Sequence, residues 1–277
     1  VFLAAKISPE RVEVVQLSLI DYLNAVPLTW ALKSGHWKNQ LRTQSDFPSV
    51  CADLLAAGQV DAGLVSSIEY ARIPQTSLVD RVCIASPGAV HSVLLWTRVP
   101  FERIQRVAVD RFSRSSVALL RVLFHLKGVP TPPFTAMTPG PDMLRHHEAA
   151  LVIGDAALAM RKTTLEAPWR LLDCAQLWHE ATGLPFVFAL WVIRKAPHLD
   201  FLGPVLREAK AMGLEALPAL IPGLARQHDL TPQALEHYFH HHLHYTLGEE
   251  ERKSLELFYE IALTLDLIPQ KPVFHWV

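Results

Sequence analysis

The segment DRFSRSSVALL at 110–120 places two arginines and three serines where a short β-branched run, RVAVD at 106–110, meets an apolar stretch of helical spacing. The first turn of a helix carries N–H groups that no upstream carbonyl takes, and hydroxyls and guanidinium groups beside it add donors and positive potential. Ser115 or Ser116 can cap this helix, and Arg111 or Arg114 can turn toward a ligand. Two readings stay open: an ordinary capped helix with surface arginines, or a seat for a carboxylate or phosphate. The chain has neither GxGxxG nor GxxxxGK[ST], so nucleotide binding gains no support.

Other polar groups stand at similar handovers. Ser66 and Ser67 follow the strand-like DAGLV at 61–65, and Gly154 and Asp155 follow a comparable run. The carboxyl edge of an α/β sheet is where such proteins bind ligands. Gly154 permits close backbone approach, while Asp155 reads either as an orienting or basic group or as a helix-start acid. Asn24, in DYLNAVPL at 21–28, offers a donor and an acceptor, or stabilises a turn. Ser92, at the start of SVLLW, is a ligand contact or satisfies a strand edge. His237, His240, His241, His242 and His244 crowd one stretch, and 237, 241 and 244 would share a helical face. Without HExxH or HxxE, and within an apolar rhythm, they read as a packed helix and not as a metal site.

The elements that must position these groups alternate. VEVVQL (12–17), DAGLV (61–65), SVLLW (92–96) and RVAVD (106–110) read as strands. LTWALKSG reads as a helix closed by Gly35, and SVCADLLAAG (49–58) as one started by a serine cap. Short links between strands and helices argue an α/β fold with a largely parallel sheet. DAGLVSSIEYA (61–71) is echoed by EAALVIGDAAL (148–158), which suggests two lobes built on one plan. After about 197 the chain turns helical, with Thr231 and Pro232 forming a good helix start. The expected division is lobe one at 1–96, lobe two at 97–188, and a return to lobe one with C-terminal helices at 189–277. A ligand cleft then lies between the lobes.

Half of the 277 residues are apolar and the formal net charge is -1. That balance gives a well-filled core and no footprint for nucleic acid or a polybasic membrane patch. The longest strongly apolar stretch, LPFVFALWVI at 184–193, is too short to span a bilayer. Cys51, Cys83 and Cys174 are far apart and lack metal spacing, as expected of buried thiols in a cytoplasmic protein. The first residues show no h-region with a cleavage site.

Taken in order, DYLNAVPL, DAGLVSSIEYA, SRSSVALLRVL, LVIGDAAL and TGLPFVFALW resemble the menaquinone-biosynthesis MqnA/MqnD family, and more closely its MqnA branch. The resemblance runs from about 12 to 195. It implies the two-lobed fold of type II periplasmic solute-binding proteins in a chain that works in the cytoplasm. It further implies a carbon–oxygen lyase, chorismate dehydratase, which removes water from chorismate to give 3-[(1-carboxyvinyl)oxy]benzoate in the futalosine route to menaquinone. Asn24 matches the family's YLN asparagine and Ser92 its active-site serine, and these two are the expected catalytic groups. Ser66, Ser67, Arg114, Ser115, Ser116, Gly154 and Asp155 become the expected substrate contacts. A net elimination requires no metal, flavin or nicotinamide. The MqnD branch, which makes 1,4-dihydroxy-6-naphthoate, carries an N-terminal SPCPNDTF motif that is absent here. Its catalytic histidine falls in the segment matched by Gly154–Asp155. The other alternative is a non-enzymatic binding or sensor module for a small anion.

Overall fold

The computed structural model describes residues 14–161 and 169–277, so the first part of the expected VEVVQL strand lies outside the described residues. The strands are β1 Val15–Ile20, β2 Leu41–Asp46, β3 Ala62–Ser66, β4 Thr76–Ser86, β5 Val93–Thr97, β6 Val107–Asp110, β7 Phe134–Met137, β8 Ala149–Ile153, β9 Arg170–Asp173 and β10 Phe186–Arg194. The helices are α1 Val26–Lys33, α2 Pro48–Ala56, α3 Ser67–Tyr70, α4 Ser115–Leu126, α5 Asp142–His146, α6 Gly154–Arg161, α7 Cys174–Thr182, α8 Leu202–Gln227, α9 Pro232–His237 and α10 Glu249–Thr264.

Two five-stranded sheets result, ordered β2-β1-β3-β10-β4 and β7-β6-β8-β5-β9. They share one plan. In the first, β1 runs parallel to β2 and β3, and β10 pairs antiparallel with β3 and β4. In the second, β6 runs parallel to β7 and β8, and β5 pairs antiparallel with β8 and β9. The echoed segments DAGLV and AALVI supply β3, which begins at Ala62, and β8, the middle strands of the two sheets. Every residue of both is buried, which explains their continuous apolar composition.

The chain changes sheets earlier than the sequence suggests. All of β5 belongs to the second sheet and all of β10 to the first, so the crossings lie at 87–92 and 174–185. An apolar run does not reveal which sheet takes it, because both cores accept the same residues. Long α8 also continues through Pro218 and Pro222. Both prolines face solvent, where water can satisfy the carbonyls they leave unpaired. The Thr231 cap and the first-turn Pro232 stand as expected, with the Thr231 hydroxyl accepting from the Ala234 N–H at 3.1 Å. The three cysteines are free and buried.

Helix α1 packs against α8 so closely that a Cβ at Gly213 would lie 2.0 Å from the Pro27 carbonyl oxygen. Backbone cannot retreat as a flexible side chain can. Because Pro27 stands three residues beyond Asn24, this contact sets where the Asn24 turn sits. Gly213→Ala gains up to about 1 kcal/mol of helix propensity but forces the helices apart, at a typical overpacking cost of about 1–3 kcal/mol. Urea unfolding of Gly213→Ala will show a net loss of stability. A variant as stable as the parent would mean that α8 does not hold α1.

Candidate active site

The carboxyl ends of four strands meet between the sheets. From β1 the chain turns through Tyr22 and Asn24 into α1, and from β3 it passes Ser66 into α3. The exit of β6 leads through Ser113, Ser115 and Ser116, while β8 is followed by Gly154. These residues, with Ser92 just ahead of β5, line one small cavity of about 40 Å³, whose apolar wall includes Ile84, Ile153 and Phe188. Thus Asn24, Ser92, Ser66, Ser115, Ser116 and Gly154 share one volume. Ser67, Arg114 and Asp155 do not line it.

Those three bind the lobes to each other instead. The Ser67 hydroxyl donates to the Val187 carbonyl at 2.7 Å and lies 3.0 Å from the Ser115 hydroxyl. A serine has one proton to give, so Ser115 is the donor of that pair. Ser115 in turn accepts from the Ile68 N–H at 3.0 Å, and its capacity for protein bonds is largely engaged across the cleft. Ser115 and Ser116 are the first two residues of α4, with Arg114 in the capping position and no side-chain cap. The sequence expectation of a serine cap fails here because the hydroxyl has a partner on the opposite lobe.

Arg114 reaches Asp53 at 2.7 Å and Glu69 at 3.1 Å, forming ion pairs from lobe two to lobe one. Its guanidinium is therefore a cross-lobe tie and not a cleft-lining group. Asp155 accepts from the Leu23 N–H at 3.0 Å and faces His228 at 3.7 Å. Burial raises its pKa, while the Leu23 N–H and His228 favour the charged form. Arg111 lies over the Phe112 ring, and Phe112 stacks on Phe47 with ring centroids 4.1 Å apart, closing the cleft mouth. Ligand pockets commonly measure about 300–1,000 Å³, so the 40 Å³ left here is small for a ligand while the lobes are in contact.

Gly154 has φ +60°, and a Cβ there would meet the Tyr22 ring at 3.0–3.2 Å. Both its backbone and the approach of Tyr22 require glycine. Its N–H donates to the Ser92 carbonyl at 2.8 Å, joining two cavity segments. The Asn24 side-chain oxygen, Oδ1, is buried without a hydrogen-bond partner. An acceptor so placed in a cavity wall calls for a donor from a ligand.

Three buried tyrosines of the C-terminal region hold the site from behind. Tyr238 donates to Ser92 Oγ at 2.8 Å, Tyr245 to the Asn24 carbonyl at 2.9 Å, and Tyr259 to the Ser67 carbonyl at 2.6 Å. Burial raises the pKa of all three, so they are neutral donors. With Tyr238 donating, the Ser92 proton is free to point into the cavity. Nothing local in the sequence signals these bonds, which span 146, 221 and 192 residues. The histidine stretch is split by a π-helical turn, Tyr238–His242. His244 instead makes a β-bridge to Ala85. Among the described residues no group of three or more His, Cys, Asp or Glu is arranged to hold a metal.

Comparison with known proteins gives this cleft a lineage. The family model described as menaquinone biosynthesis matches residues 15–264. The chain belongs to that family. It is 32% identical over 274 residues to a chorismate dehydratase of Thermus thermophilus, with 94% of this chain and 97% of that protein covered. A chorismate dehydratase of Campylobacter jejuni is 27% identical over 254 residues, covering 90% and 97%. Among solved structures, a protein from Archaeoglobus fulgidus superposes with a TM-score of 0.73 at 16% identity, covering 92% of this chain and 98% of that one. The periplasmic aliphatic sulphonate binding protein of Escherichia coli gives 0.64 at 14% identity, covering 94% and 89%. The fold is the two-lobed α/β fold of periplasmic binding proteins.

One buried acid was not singled out from the sequence. Asp110, at the end of β6, is 1% exposed. Its Oδ1 accepts from the Phe112 N–H at 2.9 Å, and its Oδ2 has no partner. Burial pushes its pKa up to about 6, against the pull of the Phe112 and Ile153 N–H groups. The folded state therefore holds this proton more tightly than the unfolded chain, so stability falls as pH rises from about 4 to about 6. His91, lowered to about 4 by burial and Arg161, acts in the opposite direction over an overlapping range. Comparing Asp110→Asn with the parent isolates the aspartate. The variant's relative stability will rise between pH 4 and pH 7 by up to ~3 kcal/mol, read from urea unfolding at each pH. A pH-independent difference would show that Asp110 titrates normally.

Proposed function

We propose that this protein is a chorismate dehydratase, removing water from chorismate to give 3-[(1-carboxyvinyl)oxy]benzoate in the futalosine route to menaquinone. The observation that carries this reading is near-full-length similarity to two chorismate dehydratases. The cleft chemistry agrees with it. Chorismate bears two carboxylates and a ring hydroxyl; the reaction breaks the C3–H and C4–O bonds and forms an aromatic ring. Aromatisation supplies the driving force, so the protein's task is chiefly to hold the C3–C4 region and manage one proton.

Asn24 and Ser92 are the groups we assign to that task. Asn24 Oδ1, a buried acceptor without a protein partner, suits the ring hydroxyl. Ser92, oriented by Tyr238, can donate to the same hydroxyl as it leaves or to a carboxylate. Ser66, Ser116 and the backbone at Gly154 are the proposed substrate contacts, with the first turn of α4 facing a carboxylate. Ser67, Ser115, Arg114 and Asp155 act on the substrate indirectly, by closing the lobes upon it. With Asp155 engaged by Leu23 and His228, a substrate carboxylate or water remains to take the C3 proton. Among the described residues no helix is long and apolar enough to cross a membrane. We place the reaction in the cytoplasm, where the family works.

The direct test is chorismate consumption by the purified chain without added cofactor, with the enolpyruvyl benzoate identified by mass spectrometry. Tight chorismate binding without turnover would favour a binding or sensor module. Asn24→Ala and Ser92→Ala will each lower kcat by roughly 10²-fold, as loss of a transition-state donor or acceptor does, with smaller changes in chorismate affinity. Near-normal turnover in two well-folded variants would reject both assignments.

Tyr238 is a positioning residue, and its effect is smaller. Tyr238→Phe keeps the ring and removes one hydroxyl. It will reduce kcat about 2- to 10-fold, the range set by a neutral hydrogen bond of about 0.5–1.5 kcal/mol, with KM nearly unchanged. An equal rise in KM would place the hydroxyl's role in binding instead.

A further inference from the structure

A second, larger cavity of about 400 Å³ lies on the other side of Tyr238. Its walls come from both lobes. Helix α6 supplies Leu158 and Arg161, the C-terminal region supplies Leu230, Ala234, His237, Tyr238 and His242, and His91 stands beside Ser92. One face is apolar; the other carries a guanidinium and three imidazoles. Among the described residues lining it there is no carboxylate.

The proton positions can be worked out from the bonds. Arg161 can only donate, so His91 Nδ1, which it meets, is an acceptor and His91 Nε2 carries the proton. His242 Nδ1 lies 2.8 Å from the Ala89 carbonyl and must donate to it. In neutral His242, Nε2 is therefore an acceptor, and it is buried without a partner. The two imidazoles lie with centroids 3.8 Å apart and their planes tilted by 31°. Burial and the neighbouring Arg161 keep His91 neutral, at about 4. His91 also sits at φ 63°, in the left-handed region, with its N–H donating to Asp173 at 2.7 Å. A strained non-glycine residue held in this way is characteristic of functional sites.

The cavity thus offers a cationic donor, a neutral N–H donor and a buried acceptor beside an apolar wall. A carboxylate answers the donors, a hydroxyl answers His242 Nε2, and a ring or short carbon frame answers Leu158, Leu230 and Ala234. We propose that this cavity is a second ligand site, for a small hydroxylated carboxylic acid, and that its occupancy is felt at Ser92 through Tyr238. The binding claim stands apart from the dehydratase reading; the effect on turnover rests on it.

The probe is 4-hydroxybenzoate, with binding measured by calorimetry on the full chain. Arg161→Gln and Ala234→Trp, at exposed positions that leave the core intact, will each weaken binding by about tenfold or more, as loss of a charge-assisted pair or of the cavity volume does. Asn24→Ala, in the cleft, will leave it unchanged, and benzoate will bind more weakly than its hydroxylated analogue. Absence of measurable binding overturns the site. So does binding that survives in both Arg161→Gln and Ala234→Trp, or that is lost in Asn24→Ala. For the coupling, 4-hydroxybenzoate will change kcat for chorismate without competing with it, and Arg161→Gln will abolish that response. Binding with no change in kcat would overturn the coupling while leaving the site in place.

Discussion

Ser115 gives and accepts one protein hydrogen bond, and both cross the cleft to lobe one, to Ser67 and to the Ile68 N–H. Closure depends on this small contact because it joins the starts of two helices, α3 and α4, each fed directly by a buried strand. When the contact forms, Ser66, Ser113 and Ser116 are brought around one volume, and the Phe47–Phe112 stack and the Arg114 ion pairs also bridge the two lobes. The rim pairs are part-exposed, and such pairs contribute little individually. The buried hydroxyl bond is the more discriminating element, since opening it leaves an N–H and a hydroxyl to be rehydrated together.

A consequence concerns charge. The described residues lining the cleft include no lysine, arginine or histidine, although the proposed substrate is a dianion. Hydroxyls, an amide and the first-turn N–H groups of α4 must hold it. Neutral donors bind a carboxylate without fully quenching its charge, and apolar neighbours such as Ile84, Ile153 and Phe188 deprive it of water. A carboxylate held this way stays basic. That suits an elimination whose cleft lacks a protein base among its lining residues. It also explains why a cation such as Arg114 serves better at the rim than inside.

The strand ends that build the site were legible because each follows a local rule. Buried β-branched runs stop where polar residues begin, and the carboxyl edge of a parallel sheet is where ligands sit, so Asn24, Ser66, Ser116 and Gly154 could be found from their neighbours alone. What the sequence hid was partnership. Nothing local distinguishes Ser115 facing an anion from Ser115 facing Ser67, or Arg114 at a ligand from Arg114 at Asp53. Asp155 reads in the sequence either as an orienting or basic group or as a helix-start acid, yet its carboxylate accepts from a backbone N–H 132 residues earlier. Sheet membership of β5 and β10 was hidden for the same reason: each is apolar up to its last residue and fits either core.

The C-terminal region accounts for the amount of helix this fold carries beyond its second crossing. A binding protein needs two lobes and a hinge; a catalyst must also hold its polar groups in a narrow range of orientation. Tyr238, Tyr245 and Tyr259 reach from that region to Ser92, Asn24 and Ser67, one bond to each segment. All three donors are buried and neutral, and their rings are locked in the core, so the positions they impose vary little. Asn24 and Ser92 lie on irregular backbone, a short helical turn and a pre-strand loop, which by themselves would be mobile. Their rigidity is borrowed from Tyr238 on the π-helical turn and Tyr245 on the loop before α10, and Gly213 against Pro27 sets the distance over which it is borrowed.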